Sequence, residues 1–388
     1  SSLWLSFHAS HSSHRPPPRR SPGGAQPQGR RRARAMEQQV LSRVLVTGGQ
    51  GFLGAYVLRR LLRRGSVVAF MDVAENLGIL QQVLAPEELA KVEAIYADIA
   101  DSAAVAAGVL RFGPTSIIHL AGVQIPTVRG NPILGASVNV TGTVNILEAA
   151  RVLAEKKQLP PVPVCYASSA AVLGPPSDYA AGASLPAERD YHRPRTLYGV
   201  FKLCNEGTAR LFWQDHGVPS AGLRPLTVFG VGREVGLTSG PTKAVKAAVL
   251  GRRYCIEVAG TTGFHYVDDV ARLFIDAAVG AARTPGAHVC GMRGHIVSYE
   301  DFLREAARAV PDLARLAFIK AGAPEVPIHS DVDESPLQAL VGRTDLHRPL
   351  ADAVVDMASL FKDLRARGAL HDRDLGDEPP PPGPAARL

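Results

Sequence analysis

The chain is short of cysteine, of long apolar runs and, along one stretch, of acid. Its four cysteines, Cys165, Cys204, Cys255 and Cys290, stand far apart and form no CxxC pair. That argues against a disulfide framework or a thiolate metal centre and fits reduced thiols in a cytoplasm-like compartment. No apolar run reaches the ~18–20 residues that a membrane-spanning helix needs, so no membrane partner is expected. The opening SSLWLSF is too short for the apolar core of a secretory signal and has no basic segment before it. Residues 1–35 hold seven arginines with no lysine, aspartate or glutamate, and the whole chain carries +7, so Met36–Leu388 is neutral. The basic charge belongs to the leader, and a nucleic-acid-binding body is not expected.

What is present is a chain of 388 residues with 46% hydrophobic content, enough for a large core. Residues 1–38 read as a disordered basic leader, because Ser, Pro, Arg, Gly and His bury too little apolar surface to fold. An organelle transit peptide, or translated sequence upstream of a start at Met36, are the other readings of this stretch. His8, His11 and His14 lie in it and are not taken as a metal site. Residues 371–388, with their PPPPGP run, read as a disordered tail. Between these ends, residues 39–224 read as a dinucleotide-binding domain and 225–370 mainly as a smaller substrate-binding lobe, some of whose strands return to the sheet.

The stretch RVLVTGGQGFLGAYVLRRLL, from Arg43 to Leu62, organises the rest. Val44–Val46 is an apolar run suited to a buried parallel strand, followed at once by a glycine-rich turn and a helical pattern. Such a turn gathers backbone N–H groups and the positive end of the helix dipole, which suits a pyrophosphate. Gly48 supplies the special backbone angles, Gly51 lets phosphates approach, and Gly54 permits close helix–strand packing. A second apolar strand, Ser66–Asp72, ends in a carboxylate about 20 residues on, placed to accept hydrogen bonds from ribose hydroxyls. No Arg or Lys lies between Asp72 and Lys91 to receive a 2′-phosphate, so NAD is favoured over NADP.

Further strands are expected at Ala94–Tyr96, Ile117–Leu120, Val162–Ala167 and Ala221–Leu226. Helices are expected at Phe52–Arg64, Glu87–Val92, Ala103–Phe112, Ile133–Lys156 and Tyr198–His216. The alternation implies an α/β fold, a doubly wound parallel sheet of Rossmann type, with the smaller C-terminal lobe over the carboxyl ends of the strands. Within it, Tyr198 and Lys202 share a helix face at i,i+4. A phenol with an ordinary pKa of ~10 is a poor acid–base at neutral pH, and a neighbouring ammonium moves it toward the useful range. Serines at the end of a buried strand, Ser168 and Ser169, can donate to a substrate oxygen.

Together these residues resemble the extended short-chain dehydrogenase/reductase family, also called the NAD-dependent epimerase/dehydratase family, from about Val44 to Arg367. The motifs are Thr47–Gly54, His119–Gly122, Asn139–Thr143, Ser168–Gly174, Tyr198–Lys202, Leu223–Pro225 and Phe264–Val270. The resemblance implies that Tyr198 is the general acid–base, that Lys202 binds the nicotinamide ribose and lowers the phenol pKa, and that Ser169 polarises the substrate oxygen. It implies cofactor contacts from Gly48, Gly51, Phe52, Leu53, Gly54, Asp72, Leu120, Ala121, Gly122, Tyr198, Lys202 and Pro225. Asp98 and Ile99 would touch the adenine, and Asn139 would orient the active-site helix. His119 and Arg224 read as structural. Helices such as Ile133–Lys156 and Tyr198–His216 often form a dimer contact in this family, so a homodimer is expected.

Departures narrow the substrate. Ala170 and Ala171 stand where dehydratases carry acids. Thr261, Thr262 and Gly263 precede Phe264 where nucleotide-sugar epimerases usually carry a diphosphate-gripping arginine. Leu173 stands where a tyrosine is common, and Thr227 where such enzymes often have Asn. Lys243, Lys246, Arg252 and Arg253 read as contacts to an anionic substrate or as a solvated helix face, and Arg129 as a further anion contact. The expected activity is NAD-dependent hydride transfer at a secondary alcohol or ketone of a sugar-like or hydroxy-acid substrate. The alternatives are a nucleotide-sugar epimerase with retained NAD, and a non-catalytic NAD-sensing regulator, which loss of Tyr198 or Lys202 would have favoured.

Overall fold

The structure, a computed structural model, describes residues 27–179 and 192–380. The three histidines of the leader, with the rest of residues 1–26, and the final residues 381–388 lie outside the described residues.

Seven strands form a parallel sheet: β1 (Arg43–Thr47), β2 (Val67–Asp72), β3 (Glu93–Tyr96), β4 (Ser116–His119), β5 (Val164–Ala167), β6 (Ser220–Arg224) and, after the lobe strands, β10 (Ala287–Gly291). Their order is β10-β6-β5-β4-β1-β2-β3. The order reverses between β1 and β4, which pair through Val44↔Ser116 and Thr47↔His119. Ligands of open α/β sheets bind at this reversal, beyond the carboxyl ends of the strands.

Strand alternation builds two cores. Val44 and Val46 face one layer, with the helices Phe52–Arg63 and Val267–Arg283, while Leu45 faces the other, with Ser102–Phe112 and Gly142–Lys157. Both faces are covered, which is why these strands read as continuous apolar runs. Local signals set the helix ends. Asp101 caps the Ser102 helix by accepting from Ala103 and Ala104 N–H, and Gly113 ends it in the left-handed region at φ 64°. Thr196 caps the helix Leu197–His216 through Gly199 N–H.

The lobe carries β7 (Thr227–Phe229), β9 (Thr261–Tyr266) and β11 (His295–Ser298) in one small sheet, and β8 (Tyr254–Ile256) with β12 (Ala317–Ile319) in another. The chain returns from the lobe to add β10 beside β6, so residues after 225 supply part of the main sheet.

Four expectations differ from the structure. The helix expected over Ile133–Lys156 is three pieces: Pro132–Ala136, a π-helical turn Ser137–Thr141, and Gly142–Lys157. The helix expected over Glu87–Val92 is only Pro86–Leu89, because the chain must turn at once to enter β3. The leader expected to be disordered to residue 38 is helical from Pro27 to Val40. Met36 packs on the core, Val40 and Leu41 are buried, and Ser116 donates to the Val40 carbonyl at 2.8 Å. An average composition dominated by Arg and Pro hid an apolar pair at i,i+4.

The tail expected to be disordered from 371 is held as far as Pro379 by charged and polar contacts, with Leu375 buried. Lys243 donates to the Asp374 carbonyl at 2.6 Å and Lys246 to its carboxylate at 2.5 Å. Arg252 pairs with Asp372, and Arg253 donates to the Pro379 carbonyl at 2.9 Å. These four basic residues therefore anchor the chain's own C-terminal segment, and are neither a solvated face nor cleft contacts.

Candidate active site

The glycine turn is built from backbone in close quarters. Gly48 sits at φ +67°, and a Cβ there would lie 2.7 Å from the Ala121 nitrogen, so only glycine lets the loop after β4 close against it. A Cβ on Gly54 would lie 2.4 Å from the Gly48 carbonyl oxygen and 2.6 Å from Gly49 Cα. The helix that follows starts at Phe52 with no side chain capping it, which leaves its first N–H groups for a ligand. Asp72 ends β2 beside this turn. Its carboxylate accepts from the N–H groups of Gln50 and Val73, both at 3.2 Å, which partly offset the rise in its pKa that burial causes. A crowded glycine cradle with a partly shielded carboxylate alongside fits the pyrophosphate and adenosine ribose of NAD.

Behind the cradle lies a polar relay. His119 Nδ1 meets Thr47 Oγ1 at 2.7 Å and Nε2 meets Thr143 Oγ1 at 3.1 Å. Thr143 donates to the Asn139 carbonyl at 2.8 Å, so its oxygen is left to accept from Nε2–H, and Nδ1 must accept from Thr47. That assigns a neutral imidazole, and burial together with the Lys202 charge drives its pKa down to about 3. His119 is a structural strut. Asn139 is another: its amide accepts from Val123 N–H at 2.8 Å and donates to Val123 O at 2.9 Å, while Asn205 grips its carbonyl at 2.8 Å. The π-helical turn frees that carbonyl for the helix carrying Tyr198 and Lys202. Asn139 thus holds the loop that lines the cleft, and its side chain is spent on that task.

The remaining residues divide between cleft and core. Phe52, Leu53, Leu120, Gly122, Ser169, Tyr198, Lys202 and Pro225 line one cleft at the sheet's carboxyl edge. Ala121 closes the glycine turn behind it and its N–H donates to Thr47 Oγ1 at 3.2 Å. Asp98 is exposed and accepts from Ala100 N–H at 2.9 Å, whereas Ile99 is buried against Gly142. Arg129 is exposed at the end of the short helix Ile125–Gly130 and does not line the cleft.

Of the two serines, Ser168 donates to Glu206 at 2.5 Å and is committed to the core, while Ser169 faces the cleft and accepts from Ala171 N–H at 3.1 Å. Lys202 donates to the Ala167 carbonyl at 2.7 Å, with its nitrogen 5.6 Å from the Tyr198 ring centroid. Burial lowers the lysine to about 8, against the opposing pull of Glu206. Burial raises the Tyr198 phenol above the usual range, and a hydrogen bond to Ser169 and the Arg233 charge pull it back. Arg233, for which the sequence carries no signal, is a second cation of the same cleft whose charge acts on this phenol, beside Lys202. Nothing at i±4 marks it; a loop folded back by glycines brings it to Tyr198.

Arg224, by contrast, is locked to Glu206 by two hydrogen bonds of 2.8 and 2.7 Å. Ala170 and Ala171 are buried, and among the described residues no carboxylate lines the cleft. Glu234, His371 and Asp374 approach closely enough to share a cation, but the Lys246 ammonium already sits 2.5 Å from Asp374.

The profile of the NAD dependent epimerase/dehydratase family matches residues 44–290. The UDP-glucose 4-epimerase of Mycolicibacterium smegmatis is 31% identical over 61% of this chain and 72% of its own. The uronate dehydrogenase of Agrobacterium fabrum is 30% identical over 47% of this chain and 60% of its own. The crystal structure of Thermus thermophilus UDP-glucose 4-epimerase in complex with NAD shares the fold at a TM-score of 0.67 and 22% identity, over 82% of this chain and 99% of that one. With a glycine cradle, an acid-tipped second strand and this match across most of the folded body, the chain belongs to the NAD-dependent epimerase/dehydratase family, with NAD as its cofactor.

Proposed function

We propose that the protein interconverts a secondary alcohol and its ketone on a sugar-like or hydroxy-acid substrate, with Ser169, Tyr198 and Lys202 as the working residues. One observation carries this reading: all three line a single cleft that ends at the glycine cradle. Bound NAD supplies the hydride acceptor in the oxidative direction. As the substrate C–H bond breaks and its C=O forms, Tyr198 in its phenolate form takes the hydroxyl proton and becomes the phenol. Ser169, whose oxygen accepts from Ala171 N–H, holds the same oxygen through its O–H. Lys202, fixed on the Ala167 carbonyl, orients toward the cofactor ribose.

The absence of acids at Ala170 and Ala171 disfavours dehydration, which needs a group to protonate a departing hydroxyl. Thr262 stands buried in the cleft, hydrogen-bonded to Thr227 at 3.1 Å, where a diphosphate would want a cation. That supports a substrate without a nucleotide. The 4-epimerase relative keeps a second reading in view, in which ketone formation is followed by reduction on the other face.

Incubating purified protein with NAD and a panel of polyols, sugar acids and nucleotide sugars separates the two. Stoichiometric NADH release marks net oxidation, and an inverted product with NAD retained marks epimerisation. Tyr198→Phe should lower turnover by about 10²–10⁴-fold, the usual weight of a general acid–base, with NAD affinity nearly unchanged. Undiminished turnover in that variant removes Tyr198 from the mechanism.

The free cysteines among the described residues favour a reducing, cytoplasm-like setting. Ile133, Leu134, Leu197, Val200 and Leu211 expose apolar side chains on the two helical stretches expected to form a dimer contact. We extend the proposal to a homodimer through that face. Sedimentation as a monomer at micromolar concentration would refute it.

A further inference from the structure

We propose that Arg233 is an anion receptor for the substrate, pairing through its guanidinium with a carboxylate on the molecule that reacts at Tyr198. The proposal rests on Tyr198 being the proton-transfer group, and it names the class of substrate: a hydroxy acid or sugar acid.

The cleft has two cations, Lys202 and Arg233, and among the described residues no lining Asp or Glu. Lys202 is engaged with the Ala167 carbonyl. Arg233 has no salt bridge to any described residue, and its one side-chain hydrogen bond is a long 3.4 Å contact to Thr238. Its Nε is shut off from solvent with no partner among the described residues, and the half-buried side chain lines the cleft. The guanidinium carbon lies 5.7 Å from the Phe52 ring centroid, and the charge acts on the phenols of Tyr198 and Tyr299. Gly236, at φ +111°, makes room for this head group: a Cβ there would stand 2.9 Å from Nη2 and 2.2 Å from Gln124 Oε1.

A guanidinium enclosed by protein without a counter-ion is unfavourable, and its five fixed donors match a planar carboxylate bidentately. A cleft with positive charge and no negative charge leaves the balancing anion to the ligand. The glycine cradle already serves the cofactor's pyrophosphate. Arg233 sits on the loop after β7 and lines the same cleft as Thr227 of β7 and Thr262 of β9.

The test uses the full-length protein saturated with NAD and three matched pairs: galacturonate and its methyl ester, gluconate and gluconamide, malate and malamide. Calorimetry measures binding, and NADH absorbance measures turnover. At least one acid should bind ten-fold or more tightly than its uncharged counterpart. Arg233→Lys should weaken that acid at least ten-fold, because a point charge replaces a fork, and Arg233→Met should erase the preference. Both changes should raise KM for the acid ten-fold or more, with NAD affinity within two-fold. Ligand-free Arg233→Met should melt at or above the wild-type temperature.

The proposal is overturned if no acid is preferred over its neutral partner, or if the preference survives Arg233→Met. It is equally overturned if the variants lose NAD affinity, which assigns the guanidinium to the pyrophosphate, or if Arg233→Met melts earlier, which makes the residue structural. The same titrations in Tyr198→Phe keep the two readings apart. An acid preference retained there without turnover supports both, whereas retained turnover sinks the catalytic assignment and leaves the anion test standing.

Discussion

Arg224 closes β6 on the sheet side of the cleft, and Arg233 hangs from the loop after β7 on the lobe side. The first is 5% exposed and meets Glu206 through two parallel hydrogen bonds, with Ser168 on the same carboxylate. The second has no carboxylate among the described residues and faces open space. A buried cation whose charge is answered within the protein ties elements together. One that is left unanswered at a cleft has its partner outside the chain. The same residue type therefore does structural work in one place and recognition in the other, and burial alone does not tell them apart.

The contrast can be broken most sharply at Glu206. Glu206→Gln strands Arg224 in the core, and removing one member of a buried pair costs about 3–5 kcal/mol. Chemical denaturation should show this loss, whereas Arg233→Met should show none. Comparable losses in both variants would erase the distinction. Replacing Glu206 and Arg224 together by apolar residues should recover part of the stability, because no unpaired charge is left.

A smaller effect sharpens the sheet side. His119 is held at about 3 in the folded protein, below its ordinary 6.5. On acidification the unfolded chain takes the proton first, so this contribution is complete above 6.5 and is lost as pH falls toward 3. The loss is at most about 1.4 kcal/mol per pH unit. His119→Asn should flatten that part of the stability profile measured by urea titration from pH 7 to 4, and an unchanged slope would mean that other groups set it.

Much of the cofactor half was legible before any coordinates. Gly48, Gly51 and Gly54 lie within one turn of chain and Asp72 a strand later, so spacing alone announces them. Tyr198 and Lys202 are likewise one helical turn apart. The resemblance casts Asn139 as orienting the active-site helix; its side chain clamps Val123 and its backbone carbonyl receives Asn205 of that helix, an arrangement set by a π-helical turn that propensity does not foretell. Arg233 carried no signal at all, because what makes it unusual is the partner it lacks. The basic set from Lys243 to Arg253 was misread for the converse reason: its partners lie in a proline-rich tail more than a hundred residues on, which looks unstructured when composition alone is weighed.

The sequence by itself determined the strands, their alternation with helices and the glycine cradle after the first of them. Those depend on short apolar runs between helical patterns and on glycine's missing Cβ, both local properties. Only the tertiary structure decided which charges neutralise one another and which is left facing the cleft. That outcome follows from the distance between groups remote in the chain, and no local pattern encodes it.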